Sequence, residues 1–250
     1  MTSPTTVQIK IGLYTPKEQW ITTDLHAAPL IIAQHIDEPT GIYLPLSYHT
    51  EHGSDRSIGV SGEKATHKPR TGFFSPNTPN TPLTPLTPSL RFQPLWDFDS
   101  KENPARALDE ARHFVSERLI KKGIPLDALI PFTSGRKGIH IASRHLLPPR
   151  EDWYNIFTHT AERIWIPEFP TLDAGIYKNR ALIRAPWSRH AAVNARKKPL
   201  PWDLFWRGTW ADIEAWAYQP LNDSQYADIE ALIRKCLPVD EPTPANWTPF

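Results

Sequence analysis

The stretch DALIPFTSGRKGIHIAS, residues 127–143, decides how this chain is read. Two short apolar runs flank a turn in which two glycines bracket two adjacent cations. Gly135 and Gly138 suit a hairpin that needs positive φ or close backbone approach. Arg136 and Lys137 are then either a solvated basic tip or one wall of an anion site. The segment alone does not choose between them.

Its neighbours set the hairpin in a pattern. Upstream, LRFQPLWDF (90–98) is predicted as a strand and NPARALDEARHFVSERLIKKG (103–123) as a helix. Asn103 can cap, Pro104 stands at the first helical position, and Gly123 ends an apolar stripe of Leu108, Ala111, Val115 and Leu119. Downstream, REDWYNIFTHTAERIW (150–165) makes a second amphipathic helix and RALIRAP (180–186) a last strand. Strand, helix, strand, strand, helix, strand is the split β-α-β order of ferredoxin-like and RNA-recognition-like folds. The fold class is therefore α+β.

Further out, strands are predicted in VQIKIGLY (7–14) and TGIYLPLSY (40–48). The repeat SPNTPNTPLTPLTPSL (75–90) cannot join a ladder or a helix interior, so an extended surface connection is expected. Trp202, Trp206, Trp210 and Trp216, with a helix over SQYADIEALIRKCL (224–237), are expected beside the central unit. The expected division is an N-terminal α/β module (1–90), an RNA-recognition-like module (91–204) and a C-terminal helical extension (205–250), all within one domain.

The 250 residues are 40% hydrophobic and 22% charged, with a formal net charge of +1. The single cysteine, Cys236, excludes an intramolecular disulfide and a multi-cysteine zinc site. No apolar run approaches membrane-spanning length, so a soluble, cytoplasmic protein is expected. Between Ser134 and Lys198 stand twelve Lys or Arg against five Asp or Glu, either a solvated basic surface or a site for a polyanion.

WDFDS places Asp97 and Asp99 two apart on the predicted strand, hence on one face, with Trp96 and Phe98 pointing into the core. Paired carboxylates suit hard Mg²⁺ or Mn²⁺. DxD pairs also arise by chance and in glycosyltransferases. If the hairpin lies beside this strand, Ser134 and the turn can meet phosphate oxygens, with charge from Arg136 and Lys137 and a hydrogen bond from His140. Asp173 precedes the last strand, and Arg184 and His190 follow within IRAPWSRH.

This ordered set, an hhDhD strand, an SGxxGxH turn and a D…hhRxPxSxH segment, resembles the catalytic motifs of the archaeo-eukaryotic primase superfamily over about residues 91–198. The likeness is to primase-polymerases of plasmids, phages and mobile elements, and it implies the primase fold, in which the RNA-recognition-like unit packs with the N-terminal module. It also implies a two-metal DNA primase-polymerase that binds (d)NTPs, a single-stranded DNA template and a primer. Asp97, Asp99 and Asp173 match the metal-binding, catalytic carboxylates. Ser134, Gly135, Arg136, Lys137, Gly138 and His140 match the triphosphate-binding turn, and Arg184 and His190 match positions that seat the nucleotide. The basic run RHAAVNARKK, with Arg189, Arg196, Lys197 and Lys198, is either a template track or a solvated run.

No structural zinc is expected, and the histidines from His49 to His67 are read as loop residues. A replicative helicase, or a helical module on a longer chain, is an expected partner, and the chain is expected to extend primers more readily than it starts them. Two alternatives remain: an end-joining repair polymerase of the same superfamily, and a non-catalytic module that binds single-stranded nucleic acid.

Overall fold

A computed structural model of the chain describes residues 5–12, 19–50, 90–150, 152–178 and 181–242. The Thr-Pro repeat up to residue 89, the histidines between residues 51 and 89, and the last eight residues lie outside them. The N-terminal part builds on β1 (Thr5–Ile11), whose Val7, Ile9 and Ile11 are buried while Gln8 is exposed. Antiparallel to it run β2 (Gln19–Asp24), β3 (Ile42–Pro45) and β4 (Ser47–Thr50), with α1 (Ala28–Gln34) between β2 and β3. The strand expected over 40–48 is thus two, broken at buried Leu46, whose carbonyl accepts from Gln93 N at 2.8 Å.

The strand expected over 90–98 also divides. β5 (Leu90–Phe92) pairs with β4, whereas β6 (Leu95–Asp99) belongs to another sheet. Pro94, which has no N–H to give a ladder, marks the crossing. The predicted helix then forms as α2 (Pro104–Phe114), continued by a π turn (Val115–Leu119) and a 3₁₀ turn (Ile120–Lys122). Asn103 accepts from Arg106 N at 3.1 Å, and Gly123 stops the helix at φ 85°. The hairpin follows as β7 (Leu129–Thr133) and β8 (Gly138–Ser143), with β8 between β6 and β7, antiparallel to both. After the short β9 (His145–Leu146) comes α3 (Trp153–Thr160), again ending in a π turn (Ala161–Trp165).

The fourth strand differs from expectation. Leu182–Arg184 does form β10, but it pairs with β3 at the edge of the N-terminal sheet. The place beside β6 is taken by residues 171–173, through Asp99 N to Thr171 O (2.7 Å), Asp173 N to Asp97 O (2.8 Å) and an antiparallel bridge between Phe98 and Leu172. Glu110 on α2 holds this short piece, accepting from both N and Oγ1 of Thr171 at 2.8 and 2.7 Å. The order across the sheet is 171–173, β6, β8, β7, so the split β-α-β unit closes about ten residues earlier than predicted.

The chain then makes the hairpin β11 (Arg189–His190) and β12 (Val193–Arg196), and helices α4 (Trp202–Arg207), α5 (Trp210–Tyr218), α6 (Asp223–Ala227) and α7 (Ile229–Arg234). The helix expected over 224–237 is therefore split at Asp228. Finally β13 (Val239–Pro242) pairs with β9 in parallel. One hydrophobic cluster runs from Val7 through Trp96 and Phe114 to Phe205, Ile233 and Leu237, so the expected boundaries near residues 90 and 204 fall inside a shared core. Among the described residues no helix is long and apolar enough to cross a membrane.

Candidate active site

On β6 the alternation sends Trp96 and Phe98, both fully buried, against Phe114 at ring distances of 5.5 and 5.4 Å. Asp97 and Asp99 therefore face the other way, towards the N-terminal sheet. Farther along that face Leu95 and Ala142 meet Leu44, Leu46 and Ile183. Sheet covers sheet there, and the end that carries the two aspartates opens as a cleft.

The register of β6 on β8 explains the chemistry placed in the cleft. Asp97 stands opposite His140, and Nε2 of His140 lies 3.2 Å from Asp97 Oδ1, close but not aligned as a hydrogen bond. Asp99 stands opposite Gly138. A Cβ on Gly138 would fall 2.4 Å from the Phe98 carbonyl oxygen, so only glycine lets the strands approach here. Gly135 turns the chain at φ 88°, and a Cβ there would press on the Arg196 carbonyl at 3.3 Å. Ser134 closes the loop: its N donates to Gly138 O at 2.9 Å and its Oγ accepts from Gly138 N at 3.0 Å. The Ser134 hydroxyl proton is what remains for a ligand.

At the tip Arg136 is exposed, and Lys137, half-buried, forms an ion pair with Asp99. Opposite the tip, β10 brings Arg184, which donates to the Ser134 carbonyl and so ties the N-terminal sheet to the hairpin. His190 comes from β11, with Nδ1 accepting from Ala192 N at 3.0 Å. Together with Tyr43 on β3, these groups enclose a cavity of about 210 Å³. It gathers Asp97, Asp99, Ser134, Arg136, Lys137, His140, Arg184 and His190. Tyr43, Leu182 and Ile183 also line it, brought there by the non-local pairing of β10 with β3, which no local pattern reveals, and Ile176 joins them from the turn that follows Asp173.

The electrostatics divide this cavity. Burial, then the Arg184, Arg136 and Lys137 charges, push the His190 imidazole down to about 4. Burial also lowers His140, more than its neighbour Asp97 can raise it. Burial acts to raise the Asp97 carboxyl, but His140, Lys197 and Lys137 outweigh it and hold the group below the usual carboxylate range. At Asp99 burial wins, with help from the Asp97 charge and against Lys137, and the carboxyl is raised. One end is thus a carboxylate pair and the other a positive wall around a neutral histidine.

Asp97 Oδ1 and Asp99 Oδ1 are buried and accept no hydrogen bond. Two such oxygens on one face fit a hard divalent cation. Asp173 is beside Asp97 through the backbone, yet exposed, and its Oδ1 accepts from Gly175 N at 2.7 Å as the cap of a 3₁₀ turn (Ala174–Tyr177). Among the described residues no three His, Cys, Asp or Glu side chains are gathered closely enough to hold a metal ion. The structure thus brings together two of the three expected ligands.

The expected template track is corrected. Arg196, Lys197 and Lys198 are buried, at 5, 2 and 1% exposure. Arg196 donates to the carbonyls of Ile36 and Trp187 at 3.0 Å and to Asp37. Lys198 donates to the carbonyls of Trp216 and Gln219, and Lys197 to that of Arg184 at 2.8 Å, its ammonium 4.9 Å from the Phe132 ring. Buried and turned onto these internal partners, the three are not presented to a template. Arg189 is half-exposed, 3.4 Å from Asp37. The chain matches no protein-family model, and no curated protein matches it.

Proposed function

We propose that the chain is a nucleotidyl transferase of the archaeo-eukaryotic primase type, a DNA primase-polymerase that extends a primer on a single-stranded template from (d)NTPs. One observation carries the reading: eight residues from three sequence motifs, on two different sheets and a hairpin, meet around one 210 Å³ cavity. Chance DxD pairs have no reason to face a glycine turn, an arginine from another sheet and a histidine kept neutral by burial and by cations. The alternative of a module that only binds single strands is disfavoured, because the face such a module would use is covered by Leu44, Leu46 and Ile183.

In this reading Arg136, Lys137 and Arg184 neutralise the triphosphate, and His190, with Nδ1 engaged, turns its Nε2–H towards it. His140 stays neutral beside Asp97, its Nε2 3.2 Å from Asp97 Oδ1, and would offer a ring N–H to the triphosphate. Asp97 and Asp99, with Asp173 once it releases Gly175 N, would hold Mg²⁺ or Mn²⁺. When bound, that ion would lower the pKa of a primer hydroxyl and neutralise the leaving pyrophosphate. The protein's share is positioning and charge, which a preorganised cleft supplies at little reorganisation cost.

The test is extension of a labelled primer on a single-stranded DNA template with Mg²⁺ or Mn²⁺, alongside an unprimed reaction. Templated addition with the primer, and little product without it, is expected. No addition under any metal or nucleotide, with sugar nucleotides bound instead, would remove the reading.

A further inference from the structure

Resting on the metal and triphosphate reading above, we infer that Lys137 is a positioning residue that stands in for a divalent cation on Asp99 in the free protein. It passes to the polyphosphate when a metal–nucleotide complex arrives. The site would then load cation and triphosphate together and hold a bare cation weakly.

Lys137 precedes Gly138, the residue paired with Asp99, and its carbonyl accepts from Ser100 N at 3.2 Å. Its main chain is therefore fixed against the end of β6. Its side chain is 29% exposed and so borders the open cleft, and its ammonium forms the ion pair with Asp99 Oδ2. The same charge acts in two directions, on Asp97 and Asp99 at one end of the cavity and on His190 at the other. One ammonium thus stands between the carboxylates and the wall that faces phosphate.

Lys137 pairs with Asp99 Oδ2, and two further carboxylate oxygens of the pair, Asp97 Oδ1 and Asp99 Oδ1, are buried and accept no hydrogen bond. A cation that came to them alone would meet the ammonium at ion-pair range, and like charges at that range repel strongly in a partly desolvated cleft. A triphosphate changes the balance, because it offers the lysine a second set of anionic oxygens within the same cavity. Cation binding and lysine release then support each other, and linkage makes that coupling reciprocal.

The inference predicts changes of opposite sign in one variant. Lys137→Met should bind Mn²⁺ alone more tightly than wild type, by at least about fivefold, since a half-exposed competing charge has gone. The same variant should bind tripolyphosphate alone more weakly. Lys137→Arg should behave like wild type in both titrations. Mn²⁺ binding read by electron paramagnetic resonance, on wild type, Lys137→Met, Lys137→Arg and Asp97→Asn, decides the matter, with thermal melts to confirm that each is folded. Equal or weaker Mn²⁺ binding by Lys137→Met, in proteins whose binding is lost with Asp97→Asn, overturns the exchange and leaves the metal reading standing. No Mn²⁺ binding by wild type or Lys137→Met overturns both.

Discussion

Arg136 and Lys137 stand at the mouth of the cleft, whereas Arg196, Lys197 and Lys198 are at most 5% exposed and face inward. The difference lies in their partners. A buried cation persists only where acceptors replace its water. Lys198 sits at the C-terminal end of α5, where the Trp216 and Gln219 carbonyls and the helix dipole supply them. Lys197 has a carbonyl and a ring face, and burial brings its ammonium down to about 7. The cleft cations stand instead at an open mouth, Lys137 paired with a carboxylate rather than with buried carbonyls and Arg136 exposed. The first group should carry affinity without stability, the second stability without affinity.

The largest effect expected is on the carboxylates that the cleft cations face. Asp97→Asn should lower primer extension by about 10²- to 10³-fold, the size of a lost electrostatic stabiliser, with the melting transition kept. Next is a buried cation. Arg196→Ala strips donors from two carbonyls and Asp37 and should cost about 2–4 kcal/mol, read as a melting temperature lower by roughly 5–15 °C, with triphosphate affinity unchanged where the variant is folded. Arg136→Ala should do the reverse, weakening triphosphate binding by about 10- to 100-fold while the melting temperature stays put. If Arg136→Ala lost stability and Arg196→Ala lost affinity, the contrast would be broken.

The smallest effect sharpens the contrast through pH. His190 is neutral above about 4 because burial and three cations oppose its charge. A bound polyphosphate cancels that repulsion, so the imidazole pKa rises in the complex and a proton is taken up. Affinity should therefore increase as pH falls from the bound value towards 4, by less than about tenfold per pH unit, and level off below it. Triphosphate titrations of wild type and His190→Gln across that range isolate the histidine from the nucleotide's own phosphate titration. Parallel curves would show that His190 does not face the phosphates.

Much of this site is legible in the sequence because its parts are local. Period two on a five-residue strand puts Asp97 and Asp99 on one face, and a turn with Gly135 and Gly138 has few other shapes. The helix from Asn103 to Gly123 carries its own start and stop. Illegible features are set by distant pairings. Residues 171–173 are too short to announce a strand and are held there by Glu110, sixty-one positions earlier. The apolar pattern of 182–184 fits either sheet, and β3 takes it, bringing Tyr43 to the cleft. Nor does a run such as ARKK say whether its charges have water or carbonyls around them. Sequence order suggests Asp173 as a neighbour of Asp97, and the backbone puts it there, but Gly175 N gives its carboxylate another task that spacing does not reveal.

The claim that the cleft holds a metal–nucleoside triphosphate is tested most directly by titrating the chain with a dNTP, with and without Mn²⁺, and repeating the titration on Asp97→Asn and Arg136→Ala. Binding that needs the divalent ion, disappears in Asp97→Asn and weakens in Arg136→Ala, with oligonucleotide affinity nearly unchanged in both, is the predicted result. A dNTP affinity indifferent to Mn²⁺ and to both substitutions would contradict it.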